Sequence, residues 1–246
     1  MNMQQLITKM YGTTEHYWEK RILERARQDD SAIIRVLAET AASISRRSNP
    51  TTQGVGNKTQ NIGTTIRQEL KNVANKNDLW ISDISTISYT QKALSVDSAE
   101  SIVYLCKDGK NVIKLNRMSF VNNIESVYKF IDRLYSNDEF STNYTAYQLL
   151  GFANDIFGEV CIVLKQPFIP NITPTTQKQI NEDLTKRGFR RIKYGMAKRC
   201  WTNGFITIED AKTKNVATYN GVFLYYDIIT QHATQRIIEL YQMELE

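Results

Sequence analysis

The chain has 246 residues, 41% hydrophobic and 23% charged, which is a globular composition and excludes a collagen-like or wholly disordered chain. Its formal charge of +5 favours an acidic partner without choosing among ATP, nucleic acid and an acidic protein. No apolar run reaches the ~18 residues of a transmembrane helix, so no membrane partner is expected, and the N-terminus lacks the basic start and apolar core of a secretory leader.

Cys106, Cys161 and Cys200 lie far apart, which suits reduced thiols in a cytoplasm better than a disulfide framework. The two histidines, His16 and His232, sit near no cysteine pair, so zinc fingers and papain-like proteases are excluded. With two distant histidines, Ser-His-Asp catalysis has no support either.

In chain order, residues 1–47 read as a helical N-terminal extension. Trp18, Ile22 and Ala26 share one face of a first helix, and Asp30-Ser31 caps a second carrying Ile34, Leu37, Ala38 and Ala41. Helices this short bury little alone and are expected to pack on something else. Residues 48–78 read as a linker, Gly-, Pro- and polar-rich at first, with a possible short helix on Ile66, Leu70 and Val73.

The third stretch, 79–246, alternates strands and helices. Ile84–Tyr89, Ser101–Cys106 and Asn111–Leu115 read as strands, the last two joined by an Asp108-Gly109 hairpin turn. Ile124–Tyr135 is an amphipathic helix, followed by strands at Tyr144–Gly151 and Val160–Gln166. Thr175–Arg187 is a helix that Gly188 terminates. Strands follow at Phe205–Ile208, Val216–Tyr219 and Val222–Tyr226, with Asn220-Gly221 as the turn between the last two, and a closing helix begins at Gln235.

The chemistry concentrates in Ile208-Glu-Asp-Ala-Lys-Thr-Lys-Asn-Val216. Asp210, Lys212 and Asn215 form a D-x-K-x-x-N string, and a kinase catalytic loop also carries an Asp with an Asn five positions on. Twelve residues after Asn215, beyond the Asn-Gly turn, Asp227 ends an apolar strand. Asn215 and Asp227 supply oxygen donors suited to magnesium. Asp210 is placed to orient or deprotonate an acceptor hydroxyl, and Lys212 to neutralise charge on a transferring phosphoryl group. Upstream, Val112-Ile113-Lys114-Leu115 matches the strand context of a phosphate-holding lysine. Glu125 is the first candidate for its carboxylate partner and Asp132 the second.

These residues, with VYLCKDGKNVIKLN, LLGF, VLKQPFI and NGFITIEDAKTKNVATYNGVFLYYDII, resemble the kinase-like domain of bacterial polyvalent proteins, a family associated with mobile elements and intergenomic conflict. The resemblance runs from about Trp80 to Thr230. It implies an α+β, reduced two-lobed protein-kinase-like fold over 79–246, with ATP and Mg2+ as cofactors. It also implies a hinge at Gln166-Pro167-Phe168-Ile169, where adenine meets the backbone, and a protein or small-molecule acceptor.

The chain departs from a full kinase pattern at several points. Ile208-Glu209, not His-Arg, precedes Asp210, and Ile228-Ile229, not Phe-Gly, follows Asp227. The expected phosphate-covering loop, SVDSAES near Ser95–Ser101, has no glycine to ease backbone approach. Only about 19 residues follow Asp227, so an activation segment and a full distal lobe are not expected, which bears on peptide recognition more than on nucleotide binding. A catalytically inactive binding module is therefore an alternative. So is nucleic-acid binding through the basic stretch 186–199, KRGFRRIKYGMAKR, with Phe189 and Tyr194 stacking on bases.

Overall fold

The protein is described by a computed structural model covering residues 22, 24–48, 62–87, 93–95, 101–118, 121, 124–142, 145–194 and 198–243. Residues 49–61 of the expected linker, and most of the expected phosphate-covering loop, lie outside these residues. So does the start of the first N-terminal helix. The chain divides into two compact units. A sheet unit holds the described residues up to Ile131 together with Tyr147–Phe168. A loop unit holds Asp132–Ala146 and everything from Ile169 onward.

The sheet unit begins with α1 (Ala32–Ser48) and α2 (Ile62–Lys76). Ser31 opens α1, its hydroxyl accepting from Ile34 N at 3.4 Å, the role expected of a helix N-cap. Ile34, Leu37, Ala38 and Ala41 of α1 and Ile66, Leu70 and Ala74 of α2 are all buried. The helices pack on each other and on strand β4 (Gln148–Asn154), and Ser43 Oγ donates to Glu69 Oε1 at 2.6 Å between them. The sequence periodicity thus marks the right faces, and helix–helix and helix–sheet burial supplies what two isolated helices lack.

Five antiparallel strands form this unit's sheet in the order β1-β2-β3-β5-β4, where β1 is Ala93–Ser95, β2 Ser101–Leu105, β3 Asn111–Asn116 and β5 Val160–Pro167. The Asp108-Gly109 turn behaves as expected, with Gly109 at φ 65°. The expected strand at Ile84 is instead a 3-10 turn, Ile84–Thr86. Asp83 overrides the β-branched run there: its carboxylate accepts from Ser85 N at 2.8 Å and fixes a turn. On the outer edge of β4, residues 79–81 add main-chain bonds, Ile81 N to Phe152 O at 2.7 Å and Phe152 N to Leu79 O at 2.9 Å. The edge is thereby closed.

Helix α3 (Ile124–Phe140) crosses the division between the units at Ile131/Asp132 and runs longer than its apolar pattern predicts. The loop unit then comprises short elements: β6 (Thr173–Pro174), α4 (Gln177–Lys186), β7 (Arg190–Tyr194), β8 (Lys198–Thr202), β9 (Ile206–Glu209), β10 (Val216–Tyr219), β11 (Val222–Tyr225), β12 (Ile229–His232) and α5 (Gln235–Met243). They form sheets of order β12-β9-β8-β7 and β11-β10-β6. Thr176 and Gln179 make a capping box at the start of α4, and Gly188, at φ 80°, follows its end. The β7–β8 hairpin is the element the sequence conceals, because Arg190, Arg191 and Lys193 mask Ile192, the buried residue of β7. A core of Ile180, Leu184, Phe189, Ile208, Val216 and Tyr225 ties α4 to the strands. No helix of the described residues is long and apolar enough to cross a membrane.

Candidate active-site residues

Four strand ends meet in the loop unit. The β9–β12 register pairs Glu209 with Ile229, and the β10–β11 register pairs Val216 with Tyr225. The 210–215 loop and the 226–228 turn therefore emerge at the same end of the strands, which brings Asp210, Asn215 and Asp227 into one neighbourhood. The hairpin returns tightly because Asn220 and Gly221 both have positive φ, 50° and 78°, as a two-residue type I′ turn requires.

The loop is built around Asp210, whose backbone is left-handed at φ 59°. Asp tolerates that region better than most side chains, and such strain is commonly held at functional positions. Two short turns follow: Lys212 N donates to Asp210 O and Asn215 N to Lys212 O, both at 2.8 Å. From α4, Gln177 Nε2 holds Ala211 O at 3.1 Å. Lys212 Nζ forms an ion pair with Asp210 Oδ1. The Asn215 amide donates to Asp210 O at 2.9 Å and to Asp210 Oδ2 at 2.8 Å. The hydrogen bond from Lys212 holds the Asp210 carboxyl below the usual carboxylate range; burial opposes this, and the Asn215 amide and the charges of Lys212 and Lys214 reinforce it. Asp210 is therefore ionised at neutral pH.

Asn215 is 3% exposed, and its amide nitrogen is committed to Asp210 twice. That commitment orients the side chain, turning its carbonyl oxygen away from Asp210. Asp227, an exposed carboxylate, follows Tyr226, whose N–H donates to Asn215 O at 3.2 Å. The donor set is thus one amide oxygen and one carboxylate. Among the described residues no group of three His, Cys, Asp or Glu side chains forms a metal cage. Two hard oxygen donors without a cage suit magnesium, which keeps waters and takes substrate phosphates as its other ligands.

In the sheet unit, Lys114 lies on β3 between Ile113 and Leu115 and is 7% exposed. Its flanking side chains enter the apolar core, so strand alternation sends Lys114 to the opposite face. There its ammonium sits 5.3 Å from the centre of the Tyr147 ring. Glu125, in the first turn of α3, pairs with Lys129 one turn on. Gln166 is buried on β5 opposite Val112. Phe168 N donates to Lys110 O at 2.8 Å, so that amide is used inside the sheet unit, and the chain leaves the unit directly after it.

The alternative carboxylate, Asp132, is engaged elsewhere. Its Oδ2 accepts from His232 N at 2.9 Å and its Oδ1 lies 2.6 Å from His232 Nδ1, while His232 Nε2 lies 2.9 Å from Glu139 Oε2. Next to this pair, Ser136 Oγ donates to Thr230 Oγ1 at 3.1 Å. A polar stripe of α3, Asp132, Ser136 and Glu139, is thus seated along β12. Burial pulls the His232 imidazole down, but the hydrogen bond and charge of Asp132, with those of Glu139, raise it above its ordinary value. Sequence reading treated His232 as isolated. The available signal was the helical spacing of Asp132, Ser136 and Glu139, hidden because the apolar pattern ends at Tyr135. Phe189 was expected to stack on nucleic-acid bases. It is 4% exposed and packs edge-on to Phe140 at 5.8 Å, so it cannot do so. The side chain of Tyr194 lies outside the described residues.

Together these features define an α+β protein with an amide–carboxylate cluster at converging strand ends and, in its other unit, a strand-buried lysine. The family model described as Serine/Threonine/Tyrosine Kinase found in polyvalent proteins matches residues 64–234, well over half the chain, and the protein belongs to that family. Helix α1 lies ahead of the matched region, and α2 falls almost wholly within it. No curated protein and no solved structure matches the chain.

Proposed function

We propose that the protein is an ATP- and magnesium-dependent phosphotransferase of reduced protein-kinase-like fold that acts on a hydroxyl acceptor of a protein or small molecule. The observation carrying this reading is the double commitment of the Asn215 amide to Asp210, which leaves a carbonyl oxygen and the Asp227 carboxylate as hard donors in one neighbourhood. Kinase family membership gives nucleotide and metal use in general terms. Lys114 supports it as a buried cation on the third strand, where kinases carry their phosphate-holding lysine.

In this reading Asn215 and Asp227 hold magnesium, which when bound spreads the negative charge of the phosphates. Asp210 accepts a hydrogen bond from the acceptor hydroxyl and orients it. Its lowered pKa makes it a weak base, so orientation is its larger contribution. Lys212, flexible and mostly exposed, screens charge on the transferring group. In the sheet unit, Lys114 meets phosphate oxygens, with Glu125 as the proposed partner of its ammonium. Gln166 and Phe168 line the strand end that adenine approaches. The buried free thiols Cys106, Cys161 and Cys200 suit a reducing compartment such as cytoplasm.

Thermal-shift titration with millimolar ATP, with and without magnesium, tests this directly. Stabilisation by ATP is expected to be larger with magnesium than without it. Asp227→Asn should abolish the magnesium-dependent part, and Lys114→Met should weaken nucleotide binding about 10–100-fold, the worth of a charge-assisted hydrogen bond. Absence of any shift in the wild type would sink the reading.

A binding module without turnover is the second reading. The observation favouring it is that both Asp210 oxygens are already engaged, one by Lys212 and one by Asn215. ATP-dependent phosphoryl transfer that disappears in Asp210→Ala would reject it.

A further inference from the structure

We propose that Tyr226 is a positioning residue that clamps the 210–215 loop to the Asp227 turn, so that Asn215 and Asp227 present their oxygens to one cation. This rests on the phosphotransferase reading given above. The β10–β11 ladder fixes the two chains only as far as Val216 opposite Tyr225. Both proposed donors lie just beyond that last pair, on opposite strands, where the ladder continues only through the main-chain bond of Tyr226.

Tyr226 fills that gap with two bonds. Its backbone N–H donates to Asn215 O at 3.2 Å, and its phenol O–H donates to Lys214 O at 2.7 Å. One residue therefore holds two successive carbonyls of the opposite chain, and its own next neighbour is Asp227. The side chain of Asn215 is already held by Asp210, so the backbone grip from Tyr226 completes the restraint.

The phenol oxygen is separable from the rest. Tyr226→Phe keeps the ring and the backbone N–H and removes the bond to Lys214 O. Losing an outer-shell partner of a metal site costs about 10–100-fold in affinity. The expected result for the full chain is an apparent magnesium midpoint for ATP binding raised about tenfold, at the low end of that range. ATP binding measured without magnesium should stay unchanged, and so should the melting temperature of the ligand-free protein. Tyr219→Phe, which alters another half-buried phenol of the same hairpin, should leave the magnesium midpoint where it is.

An unchanged midpoint in Tyr226→Phe overturns the inference and leaves the phosphotransferase reading standing. Equal weakening with and without magnesium overturns it as well, because a general loss of structure then accounts for the effect. A wild-type protein that binds ATP without magnesium dependence, or not at all, overturns both together.

Discussion

In the sheet unit, β3 and β5 are buried along nearly their whole length, and apolar side chains with an unbroken ladder hold the strands together. In the loop unit, the described strands are five residues long at most, and much of what joins them is polar: Asp132 with His232, Tyr225 with Asp183 and Arg187, Asp210 with Asn215. Burial is non-directional, so it fixes a rigid support. Hydrogen-bonded side chains are directional and fix the angles of individual loops, at the cost of depending on charge state. The sheet unit accordingly carries one buried cation on a stiff strand. The loop unit carries the charged groups of the proposed site.

This contrast is broken most severely at His232. His232→Ala leaves Asp132, 1% exposed, with only a backbone partner for its charge, and loss of one member of a buried pair costs about 3 kcal/mol. The dependence on pH has a defined direction. Because the folded-state pKa of His232 is raised, its contribution is complete below the ordinary imidazole value and is lost as pH rises through the folded value. Denaturant unfolding of wild type and His232→Ala from pH 6 to pH 9 should show curves that converge as pH rises. Parallel curves would remove His232 from the account.

A purely steric lesion in the sheet unit should come next in size and show no such slope. Gly151 has φ 152°, and a Cβ there would lie 2.6 Å from Leu79 O. Gly151→Ala should cost about 2 kcal/mol through backbone strain and loss of the 79–81 edge. Unfolding measured at two pH values should give the same loss at both, and full stability of the variant would refute the tight approach.

The smallest effect sharpens the comparison at Asp210. At φ 59° an alanine is strained by about 1 kcal/mol, whereas asparagine visits this region more readily. Asp210→Ala should thus be less stable than Asp210→Asn at neutral pH. Because the folded pKa of Asp210 is lowered, its stabilisation is present above the ordinary carboxylate pKa and disappears as pH falls through the folded value. Acid titration of unfolding should be steeper in wild type than in Asp210→Asn. Equal slopes would show that Lys212 and Asn215 do not hold the charge in solution.

Much of the sheet unit was legible because its signals are local. Asp108-Gly109 fixes its hairpin, as Asn220-Gly221 fixes one in the loop unit, and the apolar runs of β3 and β5 show without reference to anything distant. Lys114 stood out for the same reason, as a cation inside such a run. The spacing of Asp210, Asn215 and Asp227 was equally visible, since turn lengths are written in the chain. By contrast, Ile84–Thr86 misled because one aspartate outweighed two β-branched residues, and the β7–β8 hairpin was hidden under exposed arginines.

The sequence by itself determined the family and much of the order of elements, because periodicity, turn chemistry and motif spacing act over a few residues. Only the tertiary structure decided which partner each polar group takes. Asp132 went to His232, 100 residues away, rather than to the lysine strand. Phe189 went to the core rather than to a nucleic-acid base, and Tyr226 reached back to Lys214. Those choices depend on which buried donors and acceptors remain unsatisfied once the strands have paired, and no local pattern records that.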